Sequence, residues 1–408
     1  MSDLTKIIHD GYDSKLSEGS LVTPIFRTST FCFKNSEDGE RAFEIAYGLD
    51  KKKEDENVAL IYSRVNNPNM EIVENKLKTL DNSEDCVICS SGMSAISNTM
   101  LSLLNNGDNI IFSAPVYGGT HYLFNGILPK FNIKCLDFEA GLSADEIFDI
   151  YGDNDKIKMI FIESPNNPLL KSTSLVQVNL FAEKYYKKYN KNIIKVVDNT
   201  ICGPEFFKPN EFNVDLVIYS ITKFISGHSD LVSGCVNGKK EYIDKIRVLR
   251  TIFGSIPDSD TCWLIQRSLS TLKIRMTEQC KNCKFIYDYL STHPKILKIY
   301  YPGYNSDNQN LIFKNEMKGS GSILSFEIND NKKNVFKFLN NLKVFKLAVS
   351  LGSVESLIQH PSSMTHSDLT YDEKAKYGIK DNLVRISVGL ENYKDLIKDL
   401  EDALNKII

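Results

Sequence analysis

Apolar runs of four to seven residues recur through the first half of the chain, at 86–89, 109–113, 132–138, 158–162, 192–197 and 214–219. Stretches with helical spacing of apolar positions separate most of them, for example 93–104 and 174–189. Strands that are apolar on both faces and alternate with helices predict an α/β fold, a mainly parallel sheet covered by helices. Long helical patterns follow from about 240 to 292. A second α+β segment fills about 295–408, with strands predicted near 322–328 and 382–388. Residues 1–60 read as irregular, with a charged insertion at Asp50–Glu56, and the turn-rich segment Tyr62–Asn69 is expected to lead into a helix. No repeat of fixed period and no low-complexity linker interrupts this order.

With 408 residues the chain is long enough for two or three domains. The expected division is an N-terminal arm over 1–62, an α/β domain over 63–260, and a C-terminal α+β domain over 261–408 that includes the linking helices. A formal net charge of -3 gives no electrostatic case for nucleic acid or an anionic membrane. The N-terminus shows neither a secretory core nor an arginine-rich targeting pattern, and no uncharged apolar stretch reaches about 18 residues. A soluble cytoplasmic protein is the expectation.

Nine cysteines include two Cys-x-x-Cys pairs. Cys86 and Cys89 lie in a strand-like run, where a spacing of three points side chains to opposite faces. Cys280 and Cys283 share a helical face. The pairs are far more than the roughly 15–20 residues apart that a compact zinc module uses. Ordinary semi-buried thiols are expected, with no metal site and no disulfide framework.

In open parallel sheets ligands bind at the C-terminal ends of the strands, so the residues that follow each run matter most. After 86–89 comes Ser90-Ser-Gly-Met-Ser, opening a helix. The free N–H groups of Gly92 and Met93 there suit a phosphate, although small residues at such a junction also make a plain turn. After 109–113 comes Tyr117 before two glycines, placed to stack on a flat ring or merely wedged in a loop. After 158–162, two prolines fix a loop that carries Asn167. After 192–197 comes Asp198, a carboxylate that is costly at a buried strand end without a partner. A protonated pyridine nitrogen would be such a partner, and a turn cap is the structural alternative. After 214–219 comes Ser220-Ile-Thr-Lys223. Ser220 and Thr222 can donate to a phosphate, and a lysine in that place needs a counter-ion or a chemical task. Asp198 and Lys223 are separated by one strand-to-strand crossover, so neighbouring strands are expected to carry them. Gly319-Ser-Gly-Ser lacks the third glycine of a dinucleotide fingerprint and leads into a strand, which sets that reading aside.

Taken in order, Tyr62-Ser-Arg64, Ser91-Gly-Met93, Tyr117-Gly-Gly, Asp198-Asn-Thr200, Ser220-x-Thr-Lys223, Ser350-Leu-Gly352 and Leu383-Val-Arg385 resemble the pyridoxal-phosphate enzymes of cysteine and methionine metabolism. This is the group of the methionine γ-lyases and cystathionine γ-synthases, and the resemblance spans nearly the whole chain. It implies the fold of the PLP-dependent transferases of type I, a seven-stranded-type sheet with helices on both faces plus a smaller C-terminal α+β domain. It implies pyridoxal 5'-phosphate as cofactor, with Lys223 forming the imine and then shuttling protons. Asp198 would pair with the ring nitrogen, Tyr117 would stack on the ring, and Asn167 would face the ring hydroxyl. Gly92, Met93, Ser220 and Thr222 would bind the phosphate. Ser350 and Arg385 would hold the α-carboxylate of an amino-acid substrate. Tyr62 and Arg64 would reach the phosphate of a neighbouring subunit, which implies a homo-oligomer with shared active sites, a dimer of dimers.

The resemblance also implies γ-elimination on a sulfur amino acid. Enzymes of the group that act on cystathionine often carry an arginine where this chain has Tyr122, and an uncharged residue there suits methionine better. The segment Leu357–His366 is similar to that of methionine γ-lyases, whereas Gly119 stands where those lyases often have a cysteine. Glu355 is common to the group. Methionine γ-lyase activity is therefore expected, giving methanethiol, ammonia and 2-oxobutyrate. The alternative is a γ-replacement transferase, a cystathionine γ-synthase or an acyl-homoserine sulfhydrylase.

Overall fold

A computed structural model describes residues 3–53, 56–304 and 307–407. Seven strands form the larger sheet: β1 Asp85–Cys89, β2 Asn109–Ala114, β3 Lys134–Glu139, β4 Ile157–Glu163, β5 Ile194–Asp198, β6 Leu216–Tyr219 and β7 Gly234–Gly238. Their spatial order is β1-β7-β6-β5-β4-β2-β3. All run parallel except β7, which pairs antiparallel with β1 and with β6. The six predicted runs become β1 to β6. β7 has no counterpart among them, because Gly234-Cys-Val-Asn-Gly238 has glycine at both ends and too short an apolar core to read as a strand.

Alternation along β1 shows how the sheet is buried on both faces. Cys86 and Ile88 join one apolar core with the helices Pro68–Asp81 and Leu175–Tyr189, while Val87 and Cys89 join another with Gly92–Leu103 and Lys240–Phe253. The two thiols therefore point to opposite faces, as a spacing of three in a strand requires. All nine cysteines are free, and no cluster of three or more metal-ligating side chains occurs among the described residues. No helix among them is long and apolar enough to cross a membrane.

The second sheet contains β8 Ile296–Tyr300, β9 Ile323–Ile328, β10 Lys346–Leu347, β11 Leu357–Gln359 and β12 Leu383–Ser387, in the order β10-β11-β12-β9-β8. It has a core of its own, in which Phe326, Val384 and Ile386 pack against Phe338, Leu396 and Leu400. β9 and β12 match the predicted strands. The others are short or carry polar residues at alternate positions and gave no apolar run.

The N-terminal segment is not irregular throughout. Helices form at Asp3–His9 and Ser36–Ala46. Asn35 caps the second by accepting from the Asp38 N–H, and Glu37 and Asp38 complement the dipole in its first turn. Only Gly39 and Ala42 of that helix are buried, so its apolar periodicity is faint. In the charged insertion, positions 54 and 55 lie outside the described residues. Asp50 and Glu56 at its ends are both tied to Arg41, at 2.7 and 2.6 Å.

Candidate active site

The parallel strands end on one side of the sheet, and the turns that follow them converge there. β5 and β6 are neighbours, so Asp198 at the end of one and Lys223 in the turn after the other come from adjacent strands, as their spacing predicts. The Lys223 turn is held from beneath by Arg275. This buried guanidinium donates to the carbonyls of Phe224, Ile225 and Ser268, and burial lowers its pKa to about 10. Gly227 has φ +70° and lies so close to Arg275 that a Cβ would collide with it. Arg275 lies inside a long helical pattern and carries no motif, so the sequence reading passed over it.

Lys223 Nζ donates to Ser350 Oγ at 3.0 Å. Burial lowers its pKa to about 8, and the nearby Arg385 charge adds to the effect. Such an amine is a nucleophile near neutral pH. Gly352, two residues beyond Ser350, has φ +78°, and a Cβ there would stand 2.7 Å from the Phe224 nitrogen. Glycine is what lets this C-terminal loop rest on the lysine turn.

Arg385 on β12 is 2% exposed and is surrounded by neutral acceptors. Its Nη1 donates to Asn167 Oδ1 at 3.0 Å, and its Nη2 to the carbonyls of Val349 and Ser350 at 3.0 and 2.8 Å. Gln359, with its amide oxygen turned inward, accepts from Arg385 Nε at 3.3 Å and Nη1 at 3.0 Å. No carboxylate pairs with Arg385 among the described residues. Burial accordingly lowers its pKa to about 10. A buried cation without a counter-ion, beside a lysine, is a receptive place for the carboxylate of a ligand.

The helix Gly92–Leu103 begins against Ser220. Ser91 caps it by accepting from the Ser94 N–H at 3.0 Å, which leaves the first N–H groups free. A Cβ on Gly92 would lie 2.8 Å from Ser220 Cβ. Gly92, Met93 and Ser220 thus enclose a cradle of the kind an anion fills at a helix N-terminus. Ser220 itself is set by Thr200, whose hydroxyl accepts from the Ser220 N–H at 2.8 Å. Thr222 is placed differently: its hydroxyl is tied to the main chain of Ser233, donating at 3.1 Å and accepting at 3.0 Å.

Asp198 is 7% exposed, and its Oδ1 caps the turn by accepting from the Thr200 N–H at 3.0 Å. The cap and the unpaired buried charge are therefore both present, and desolvation raises its pKa. Tyr117 is 45% exposed, high for a tyrosine amid buried neighbours. Its ring lies over Gly119, where a Cβ would stand 2.8 Å from Tyr117 Cε1 and 2.9 Å from Met93 Sδ. Glu163, at the end of β4, was not singled out in the sequence. It is buried and accepts from the Tyr117 N–H at 2.7 Å and the Asn167 N–H at 2.9 Å.

Tyr62 and Arg64 do not join this cluster within the chain. Both are exposed. Arg64 Nη1 donates to the Thr251 carbonyl at 2.7 Å, and its guanidinium lies 5.9 Å from the Tyr62 ring centre.

These features fit pyridoxal phosphate: an anion cradle that a Cβ would obstruct, a buried carboxylate without a cation, and a desolvated amine. The profile of the family described as Cys/Met metabolism PLP-dependent enzyme matches residues 4–405. The L-methionine gamma-lyase of Fusobacterium nucleatum subsp. polymorphum is 39% identical over 405 residues, which is 99% of this chain and 98% of that one. The cystathionine gamma-lyase of Dictyostelium discoideum is 34% identical over 403 residues, which is 98% of this chain and 97% of that one. A crystal structure of cystathionine gamma synthase from Xanthomonas oryzae pv. oryzae in complex with cystathionine superposes with a TM-score of 0.88 at 31% identity, covering 100% of this chain and 98% of that one.

Proposed function

The chain belongs to the Cys/Met metabolism PLP-dependent enzymes, and from that premise we propose that it is an L-methionine γ-lyase, splitting methionine with water into methanethiol, ammonia and 2-oxobutyrate. The observation that carries an amino-acid substrate is the buried Arg385, without a carboxylate partner, beside Lys223 and Ser350. The choice of methionine rests on the 39% identity to a methionine γ-lyase and on Tyr122, which is uncharged and 62% exposed. A γ-replacement transferase is the second reading, favoured by the similarity to a cystathionine γ-synthase structure.

When bound, pyridoxal phosphate supplies an electron sink for the charge left on the substrate α-carbon. Arg385 and Ser350 orient the α-carboxylate, Arg385 through its forked donors. The Lys223 amine, neutral in good part near pH 8, removes the α-proton and carries it onward. Tyr117 faces the open side of the site and serves as the acid for the departing sulfur. Asp198 would balance a positive ring nitrogen, Gly92, Met93, Ser220 and Thr222 would receive the phosphate, and the Asn167 amide would face the ring hydroxyl. For Thr222 this requires its hydroxyl to share or exchange the Ser233 contact. Tyr62 and Arg64, exposed on this chain, complete the phosphate site of a second subunit. The assembly proposed is a homotetramer of two such dimers. Nine free thiols suit a cytoplasmic setting. The units proposed are the arm 1–62, the cofactor domain 63–260 and the C-terminal domain 261–408.

Methionine alone is expected to release 2-oxobutyrate and methanethiol. Turnover only of an acylated homoserine with cysteine or sulfide would replace this reading by the second. Gly92→Ala is expected to weaken cofactor binding by about tenfold or more, or about 1.4 kcal/mol, in an absorbance titration of cofactor-free protein. In wild-type protein, covalent capture of added pyridoxal phosphate is expected to quicken as pH rises to about 8 and then level off, because the neutral amine attacks. A rate independent of pH through that range would contradict the assignment of Lys223 as the capturing amine.

A further inference from the structure

Glu163 ends β4 directly opposite Asp198 in the parallel β4–β5 register, so the two side chains leave the sheet on the same face. Both are buried, at 3% and 7% exposure. Neither forms an ion pair with a lysine, arginine or histidine among the described residues. Asp198 on β5 is the charged group that Glu163 faces. From the other packed elements it meets the Tyr117 N–H after β2 and the Asn167 N–H after β4, while the Glu163 N–H donates to Ser113 Oγ of β2 at 3.3 Å. Desolvation, and then the Asp198 charge, push the Glu163 carboxyl up to about 8.

We propose that Glu163 is a positioning residue for the cofactor site: one carboxyl group clamps the main chain of Tyr117 and of Asn167, the residues that would stack on the ring and face its hydroxyl, and holds a proton jointly with Asp198 until a cation reaches Asp198. The two oxygens act on two loops, one after β2 and one after β4. Their spacing fixes the gap between Tyr117 and the strand ends. The inference rests on the cofactor named above and not on the choice of substrate.

The shared proton has a sign that can be measured. A carboxyl whose folded-state pKa lies above its unfolded value contributes stability below the unfolded value, and that contribution is lost as pH rises through the folded value. Cofactor-free protein is therefore expected to lose stability between about pH 5 and pH 8. Glu163→Gln keeps the shape, cannot ionise, and offers one acceptor where two are needed. It is expected to flatten that pH dependence and to weaken pyridoxal phosphate binding by about tenfold to a hundredfold. Should this variant fail to fold, Asp198→Asn removes the charged neighbour and is expected to move the stability loss to lower pH. Wild-type affinity in Glu163→Gln, or an unmoved pH dependence in either variant, would overturn the inference. Wild-type protein that binds no pyridoxal phosphate would instead overturn the cofactor reading on which it rests.

Discussion

Replacing Lys223 with alanine is expected to lower turnover of methionine by at least about a thousandfold, the scale on which a nucleophile and proton carrier act together. The amine is desolvated, touches Ser350 at 3.0 Å, and has no carboxylate to neutralise it among the described residues. On the proposed reading, its removal takes away the group that captures the cofactor and the base that serves the α-carbon. The folded state should gain slightly or stay unchanged, since a cation held at a pKa of about 8 is one whose burial opposes its charge. Steady-state assays together with thermal unfolding check both parts. Loss of activity together with loss of fold would speak for a structural lysine instead.

Arg385→Ala carries the second large effect. The guanidinium is held by four neutral acceptors, so its geometry is set before any ligand arrives. Losing a buried, charge-assisted fork is expected to cost about 2–5 kcal/mol of substrate binding, a fall in kcat/KM of about thirtyfold to several thousandfold. Cofactor affinity should change far less, because Arg385 contacts the Asn167 side chain and the Val349 and Ser350 carbonyls but not the Gly92 cradle. Arg385→Lys should recover little, because a point charge cannot reproduce the fork. A variant that binds amino acid normally but loses cofactor would reverse the role given to Arg385.

Much of this site is written locally. A lysine directly after one hydroxyl and three residues after another, just past the end of an apolar strand, already signals chemistry, and the crossover from Asp198 places the two on adjacent strands. The helix start at Gly92 is equally local, because an apolar run, small residues and a helical period lie in sequence. What lies across the fold was not legible. Arg385 meets Asn167 across 218 residues, and only the family resemblance pointed to it. Glu163 reads as the first polar residue after a strand, and nothing in the chain shows that two loops close on its oxygens. Arg275 looks like any charged residue in a long helix until the carbonyls of the lysine turn fold onto it. β7 escaped because its pairing with β1 and β6, not its own composition, makes it a strand.

The central claim is that Lys223 holds pyridoxal phosphate in this cluster. Wild-type protein loaded with the cofactor, reduced with borohydride and digested, should yield one modified peptide, carrying the adduct on Lys223. An adduct on a different lysine, or none, would contradict the account.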